Sequence, residues 1–296
     1  MLKHLHATPT KPRRVVLLGA GGFIAGAVAR ALSAEGVVLL PLGRPAFDLL
    51  QPEAAEGLAA LLRPDDVLVF ASAKAPVKSV GMLRENIVMA EAVCAALKAR
   101  PVAHVVYISS DAVYKDSPGP LSESSCAEPA SLHGAMHLAR EVALSAEYGG
   151  PLAIVRPTLV YGLDDPHNGY GPNRFRRLAA QGKDIVLFGE GEERRDHVDV
   201  EDLATLVTLI IKNRTTGIAN AVSGHVVSFR ELAEFAASEF TPRAVVKGSP
   251  RSGPMPHNGY RPFEPGAALK AFPGFRFRSW REGLSAVHRR MKTAVK

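Results

Sequence analysis

Short runs of Val, Ile and Leu alternate along this chain with stretches whose apolar residues recur at helical spacing. The run RRVVLLG (13–19) is continuously apolar after its two arginines, and across a glycine cluster FIAGAVARALSAEG takes up a helical period. The alternation continues through VVLLPL, the helix QPEAAEGLAALLR, the strand DVLVFASA, the helix LRENIVMAEAVCAALKA and the strand HVVYISS. A helix opening at SLHGAMHLARE and a strand LAIVRPTLVYG complete it. Strands buried on both faces read as continuous apolar runs, and strand–helix–strand units cross right-handed, so the pattern predicts an α/β fold with a Rossmann-type, doubly wound parallel sheet. From Leu163 to Arg195 the chain is loop-rich, and beyond Thr241 Pro, Gly and Arg interrupt the pattern. The expected organisation is a dinucleotide-binding core at 13–162, with 197–222 returning to it. A smaller, irregular substrate-binding part takes 163–196 and 223–296, and residues 1–12 form a flexible arm.

The 296 residues, 47% of them hydrophobic, are enough for a large core. Val15–Leu42 is long enough to span a membrane, but Arg30, Glu35 and several glycines break it, so it reads as strand, turn, helix, strand. The basic N-terminus lacks the apolar run of a signal peptide, and the two cysteines, Cys94 and Cys126, make no disulfide framework. A soluble, cytoplasmic protein with no membrane partner is expected. The net charge of +7 favours anionic ligands. With no basic, aromatic-interleaved helix and no zinc-finger spacing, no nucleic-acid partner is expected.

In VVLLGAGGFIAG the useful register is G-x-x-G-x-x-A, at Gly19, Gly22 and Ala25. Gly19 permits a tight turn off the strand, Gly22 lets backbone amides at the helix N-terminus approach a pyrophosphate, and Ala25 lets the helix pack closely. The second strand ends in LLPLGR, with no carboxylate placed for a ribose 2′-hydroxyl. Arg44, just beyond it, suits a 2′-phosphate, which favours NADP and leaves NAD open.

Several motifs then fall in order from about Arg13 to Leu284: GAGGFIAG, FDLLQPE, FASAKAP, RENIVMAEAV, YISSDAVY, RPTLVYG, EERRDHVDVEDLA and SWREGL. This series resembles the extended short-chain dehydrogenase/reductases of the NAD-dependent epimerase/dehydratase type. The resemblance implies an NAD(P)-dependent enzyme acting on a nucleotide-linked sugar. It implies cofactor contacts from Gly19, Gly22, Phe23, Ile24, Asp48, Leu49, Ala71, Ser72, Ala73 and Asn86, and a catalytic serine at Ser110. It places Arg195 on the substrate diphosphate, Asn173 near the substrate amide position, and Lys74 and Asp111 at the substrate end. Leu159 stands where the family often has asparagine. The helices from Leu83 to Lys98 and from Leu132 to Glu147 match those that pair across a two-fold axis in the family, implying a homodimer.

SLHGAMHLARE (131–141) aligns with the family's S-x-Y-G-x-x-K-x-x-x-E. Ser131, Gly134 and Glu141 fit, but His133 replaces the tyrosine that exchanges a proton with the substrate. His137 replaces the lysine that holds the cofactor ribose. The favoured reading makes His133 the proton donor, with Ser110 orienting the substrate oxygen and His137 holding the ribose. It yields an NADP-dependent ketoreductase acting on a nucleotide-linked deoxysugar. A second reading relocates the acid to Asp111, Tyr114, Lys74 or Tyr161, as in an epimerase or dehydratase. A third is a redox-silent NADP-binding sensor or partner protein. His133, His137 and Glu141 also share one helical face, but the glutamate of H-E-x-x-H is missing and no metal is expected.

Overall fold

The computed structural model describes residues 1–294. The continuous apolar runs form a central sheet. Its strands are β1 (Lys3–His4), β2 (Arg14–Leu18), β3 (Val38–Leu42), β4 (Val67–Phe70), β5 (His104–Ile108), β6 (Leu152–Pro157) and β7 (Thr215–Ala221). Across the sheet they run β1-β7-β6-β5-β4-β2-β3, all neighbours parallel except the antiparallel β1 and β7. The amphipathic stretches become α1 (Phe23–Ala34), α2 (Ala54–Leu61), α3 (Val80–Ala99), α4 (Leu132–Glu147) and α5 (Val200–Lys212). Val28 and Leu32 of α1 and Leu203 and Val207 of α5 bury against one face of the sheet. Leu58 of α2, Val93 and Leu97 of α3 and Leu144 of α4 bury against the other. This two-sided cover is why the strands carry no alternating polar positions.

Residues 1–12 do not form a free arm. β1 pairs with β7, the His4 imidazole bonds to Thr215 and to the Ala271 carbonyl, and the Thr10 amide donates to the Lys212 carbonyl. The physical reason is the edge of β7, whose N–H and C=O groups would otherwise stay unpaired.

A second, smaller layer carries the irregular part. Strand Arg194–Asp199 pairs with Leu159–Tyr161, Val226–Ser228 and Tyr260–Arg261. Helices Pro172–Ala180, Phe229–Ser238 and Trp280–Ala294 pack beside it around Phe175, Phe229, Leu232 and Leu284. Residues 197–199 therefore stay with this layer, and the return to the core begins with α5. Among the described residues no helix is long and apolar enough to cross a membrane.

Candidate active site

The carboxyl ends of β2, β3 and β4 open into a groove of about 370 Å³. Gly19 turns there at φ +88°, and a Cβ on it would lie 2.8 Å from the Ser72 amide nitrogen. Only glycine fits both the turn and that approach. Gly22 is the N-cap of α1 and no side chain caps the helix, so its first amides are left for an anion. Phe23, Asp48, Leu49, Ala71, Ser72 and Ala73 line the groove, with Arg44 exposed on its rim. These residues fit a dinucleotide. Phe47, Met89, Pro166 and His167 line it too and were not anticipated. Ile24 faces the adjoining cleft instead.

Asn86 is a correction. It is fully buried, its amide donates to the Lys74 and Met82 carbonyls, and its oxygen accepts from the Lys74 amide. With each polar hydrogen engaged, it shapes the loop after β4 and does not reach a cofactor. Arg140, also fully buried, donates to the Asn86 carbonyl through two nitrogens and to the Ser72 carbonyl through a third.

Next to the groove lies a cleft of about 420 Å³ that brings Ser110, His133 and His137 together. Ser131 caps α4 by accepting from the Gly134 amide. A Cβ on Gly134 would stand 2.0 Å from the Ala112 carbonyl oxygen, so glycine lets α4 lie directly on the Asp111–Val113 turn. The Ser110 hydroxyl accepts from the Ala112 amide at 3.1 Å, fixing it at the mouth of that turn.

The two imidazoles meet edge to face, centroids 4.8 Å apart. Burial pushes His133 below the usual histidine range, with Asp111 pulling the other way. Burial drives His137 well below that range, and charge on His133 or Arg140 deepens the effect. At this distance the two rings are not both positively charged at once. The Tyr107 hydroxyl lies 2.8 Å from His137 Nδ1. Burial pushes the phenol up, so it stays protonated, and the Arg140 guanidinium beside it offers only donors. Tyr107 therefore donates to Nδ1, which leaves the hydrogen of His137 on Nε2. Nothing in HVVYISS signalled this: Tyr107 reads there as one more buried strand residue.

Other candidates are not brought to the cleft. Lys74 turns outward to Glu85. Asp111 is buried against Arg261, with Arg195 3.9 Å away. Tyr114 donates to Asn220 at 2.7 Å, and the buried Tyr161 hydroxyl faces Gly283. Asn173 does line the cleft, but its amide holds Asp165 and its oxygen accepts from the Gly162 amide, so it braces the 162–173 loop. Arg195 is 9% exposed and paired with Glu193 at 3.3 Å, behind the cleft wall. Glu141 is committed to Arg156 and Ser109, which takes it out of any metal set with the histidines. His197, on the cleft wall, and Arg261 were missed. The aligned RDH segment contained the first, but strand pairing alone turns it inward.

Residues 15–223 match the NAD dependent epimerase/dehydratase family. A protein of Oryza sativa subsp. japonica that carries the name of a GDP-L-fucose synthase is 29% identical over 253 residues, 76% of this chain and 72% of its own. The dTDP-L-rhamnose 4-epimerase of Burkholderia thailandensis is 32% identical over 139 residues, 44% of this chain and 38% of its own. The Thermus thermophilus UDP-glucose 4-epimerase, solved with NAD, superposes with a TM-score of 0.83 at 24% identity, covering 95% of this chain and 99% of that one. The sheet order, the glycine loop and the motif match agree, and the chain belongs to the NAD-dependent epimerase/dehydratase family.

Proposed function

We propose that this protein is an NADP-dependent reductase of a keto group on a nucleotide-linked deoxysugar. The carrying observation is the His133–His137 pair, edge to face at 4.8 Å inside the cleft with Ser110. The relatives named for sugar-nucleotide reactions support the substrate class. Gly19, Gly22 and the α1 N-terminus would hold the cofactor pyrophosphate and Arg44 a 2′-phosphate, and bound NADPH would supply the hydride. Ser110 polarises the carbonyl. His133, as imidazolium, gives the proton to the developing alkoxide. His137 offers its Nε2 hydrogen to a ribose hydroxyl. The test is NADPH oxidation with a panel of ketosugar nucleotides. His133→Ala should lower the rate by about 10²–10⁴-fold, and an unchanged rate sinks the assignment.

A second reading has its own observation. His137 is driven well below the histidine range, so it does not supply the cation that lysine would. A redox-silent NADP sensor needs none. It would bind cofactor and change assembly or partner affinity without turnover. Rebuilding the family pair, His133→Tyr with His137→Lys, separates the two: gained activity marks decay, lost activity marks repurposed histidines.

We infer a homodimer through α3 and α4, where Val80, Ile87, Leu132 and Val142 stay exposed. A buried Cys94 and an exposed, free Cys126 fit the reducing cytoplasm.

A further inference from the structure

The cofactor groove and the cleft meet, and Gly22, Phe23, Ala71, Ala73 and His167 line both. Arg44, Asp48 and Leu49 mark the adenosine end in the groove, and Ser110, His133 and His137 mark the reacting end in the cleft. A dinucleotide reaching from one to the other carries its pyrophosphate, the middle of the molecule, through this junction. Gly22, Phe23, Ala71 and Ala73 have no hydrogen-bonding side chain. Beside the uncapped amides of α1, His167 is therefore the one side-chain donor at the junction among the described residues. Among the described residues that line the groove, only Arg44 and His167 can carry positive charge toward the anionic pyrophosphate.

His167 belongs to a loop, residues 162–171, that is fastened at both ends. A Cβ on Gly162 would lie 2.9 Å from the Phe23 ring, so the loop leaves directly against the first residue of α1. Asp164 pairs with Arg30 of α1 at 3.3 Å. The Asp165 carboxylate accepts from the Asn173 amide at 2.8 Å, and its carbonyl accepts from Arg177. Beyond these ties Pro166 lines the groove, Gly169 and Tyr170 line the cleft, and His167 stands between them. The main-chain groups of His167 are spent: its amide donates to Asp165 at 3.0 Å, and its carbonyl accepts from the Gly169 amide. The imidazole takes part in none of these bonds, and the residue is exposed, so the ring is what it offers a ligand.

We propose that the His167 imidazole donates a hydrogen bond to the pyrophosphate of the bound dinucleotide, opposite the amides of the α1 N-terminus. This inference rests on the dinucleotide reading of the groove. It makes His167 a cofactor-binding residue with no part in proton transfer.

The experiment is a set of binding titrations with NADP, 2′-phospho-ADP-ribose and 2′-AMP. The first two contain the pyrophosphate and the third does not. The proteins are wild type, His167→Ala and His167→Gln. His167→Ala should weaken NADP and 2′-phospho-ADP-ribose alike by about 10-fold, the low end for a hydrogen bond to a charged group because the ring is open to water. Affinity for 2′-AMP should not change, and His167→Gln, which keeps a donor, should recover part of the loss. The urea midpoint should be the same in all three proteins, since the substituted side chain is exposed. Where NAD binds in place of NADP, ADP-ribose and adenosine replace the two fragments. Unchanged dinucleotide affinity in His167→Ala overturns the proposal. So does a loss confined to the whole dinucleotide, which would put His167 on the nicotinamide side, or an equal loss for the fragment without pyrophosphate. If wild type binds neither NADP nor NAD, the dinucleotide reading fails, and this proposal fails with it.

Discussion

The Tyr107 hydroxyl, 2.8 Å from Nδ1 of His137, sets the tautomer of a histidine thirty residues further along the chain. Tyr107→Phe removes that donor and leaves Nδ1 free to take the hydrogen. NADPH affinity should then fall by about 3- to 10-fold, the worth of one buried hydrogen bond. Nitrogen NMR of the imidazole should show a mixed tautomer. Unchanged affinity with an unchanged tautomer would mean that His137 needs no help from Tyr107.

Reduction requires His133 as imidazolium, and burial disfavours that form. The rate of NADPH oxidation should therefore climb as pH falls to below the ordinary histidine range and decline above it. The reverse oxidation, which needs the neutral ring, should show the opposite limb. A pH profile of kcat/KM in each direction checks this, and both limbs should vanish in His133→Ala.

Arg44 stands exposed at the rim of the cofactor groove with its charge available. Arg44→Ala should weaken NADPH by about 10- to 100-fold, the range for a charge-assisted phosphate contact. NADH should bind as before. Equal weakening of both cofactors would remove the argument for NADP.

Acid should destabilise the fold over a defined window. His104 and His288 are fully buried, and burial pushes both down to about 4. The unfolded chain takes up these protons near pH ~6.5 and the folded chain only near their lowered values. The stability is complete above the first pH and is lost as pH falls toward the second, on the order of 3 kcal/mol per histidine over the whole window. Asp199, pushed up to about 6, works in the opposite sense and offsets part of the loss. Urea midpoints from pH 7 to 5 should therefore fall, and His288→Phe, which keeps the stack on Phe235, should flatten the slope.

Val142 is 60% exposed on α4 and Ile87 38% exposed on α3. Placing glutamate at both positions should convert a dimer to a monomer in sedimentation. A wild-type protein that already sediments as a monomer would refute the interface.

The order of strands and helices was legible because each strand is a run without polar interruption, as in Val15–Leu18 and Val67–Phe70. The glycine loop was legible because a tight turn beside a helix start leaves few alternatives at Gly19. Polar pairings between distant segments leave no such trace. Lys74 and Asp111 lie in the segments that follow β4 and β5, but Glu85 and Arg261 decide where their side chains point. The pairing of β1 with β7 was invisible for the same reason, since a two-residue strand has no period.

Arg140 bridges three segments that the chain keeps apart: α4, the Asn86 carbonyl on α3 and the Ser72 carbonyl beside the cofactor groove. It sits three residues beyond His137 on the same helix. Because this strut is buried and its bonds end on main chain, the loop under the cofactor and the helix bearing the histidines are stiffly joined. The position of the histidine-bearing helix is thereby fixed against the same main chain that shapes the cofactor groove.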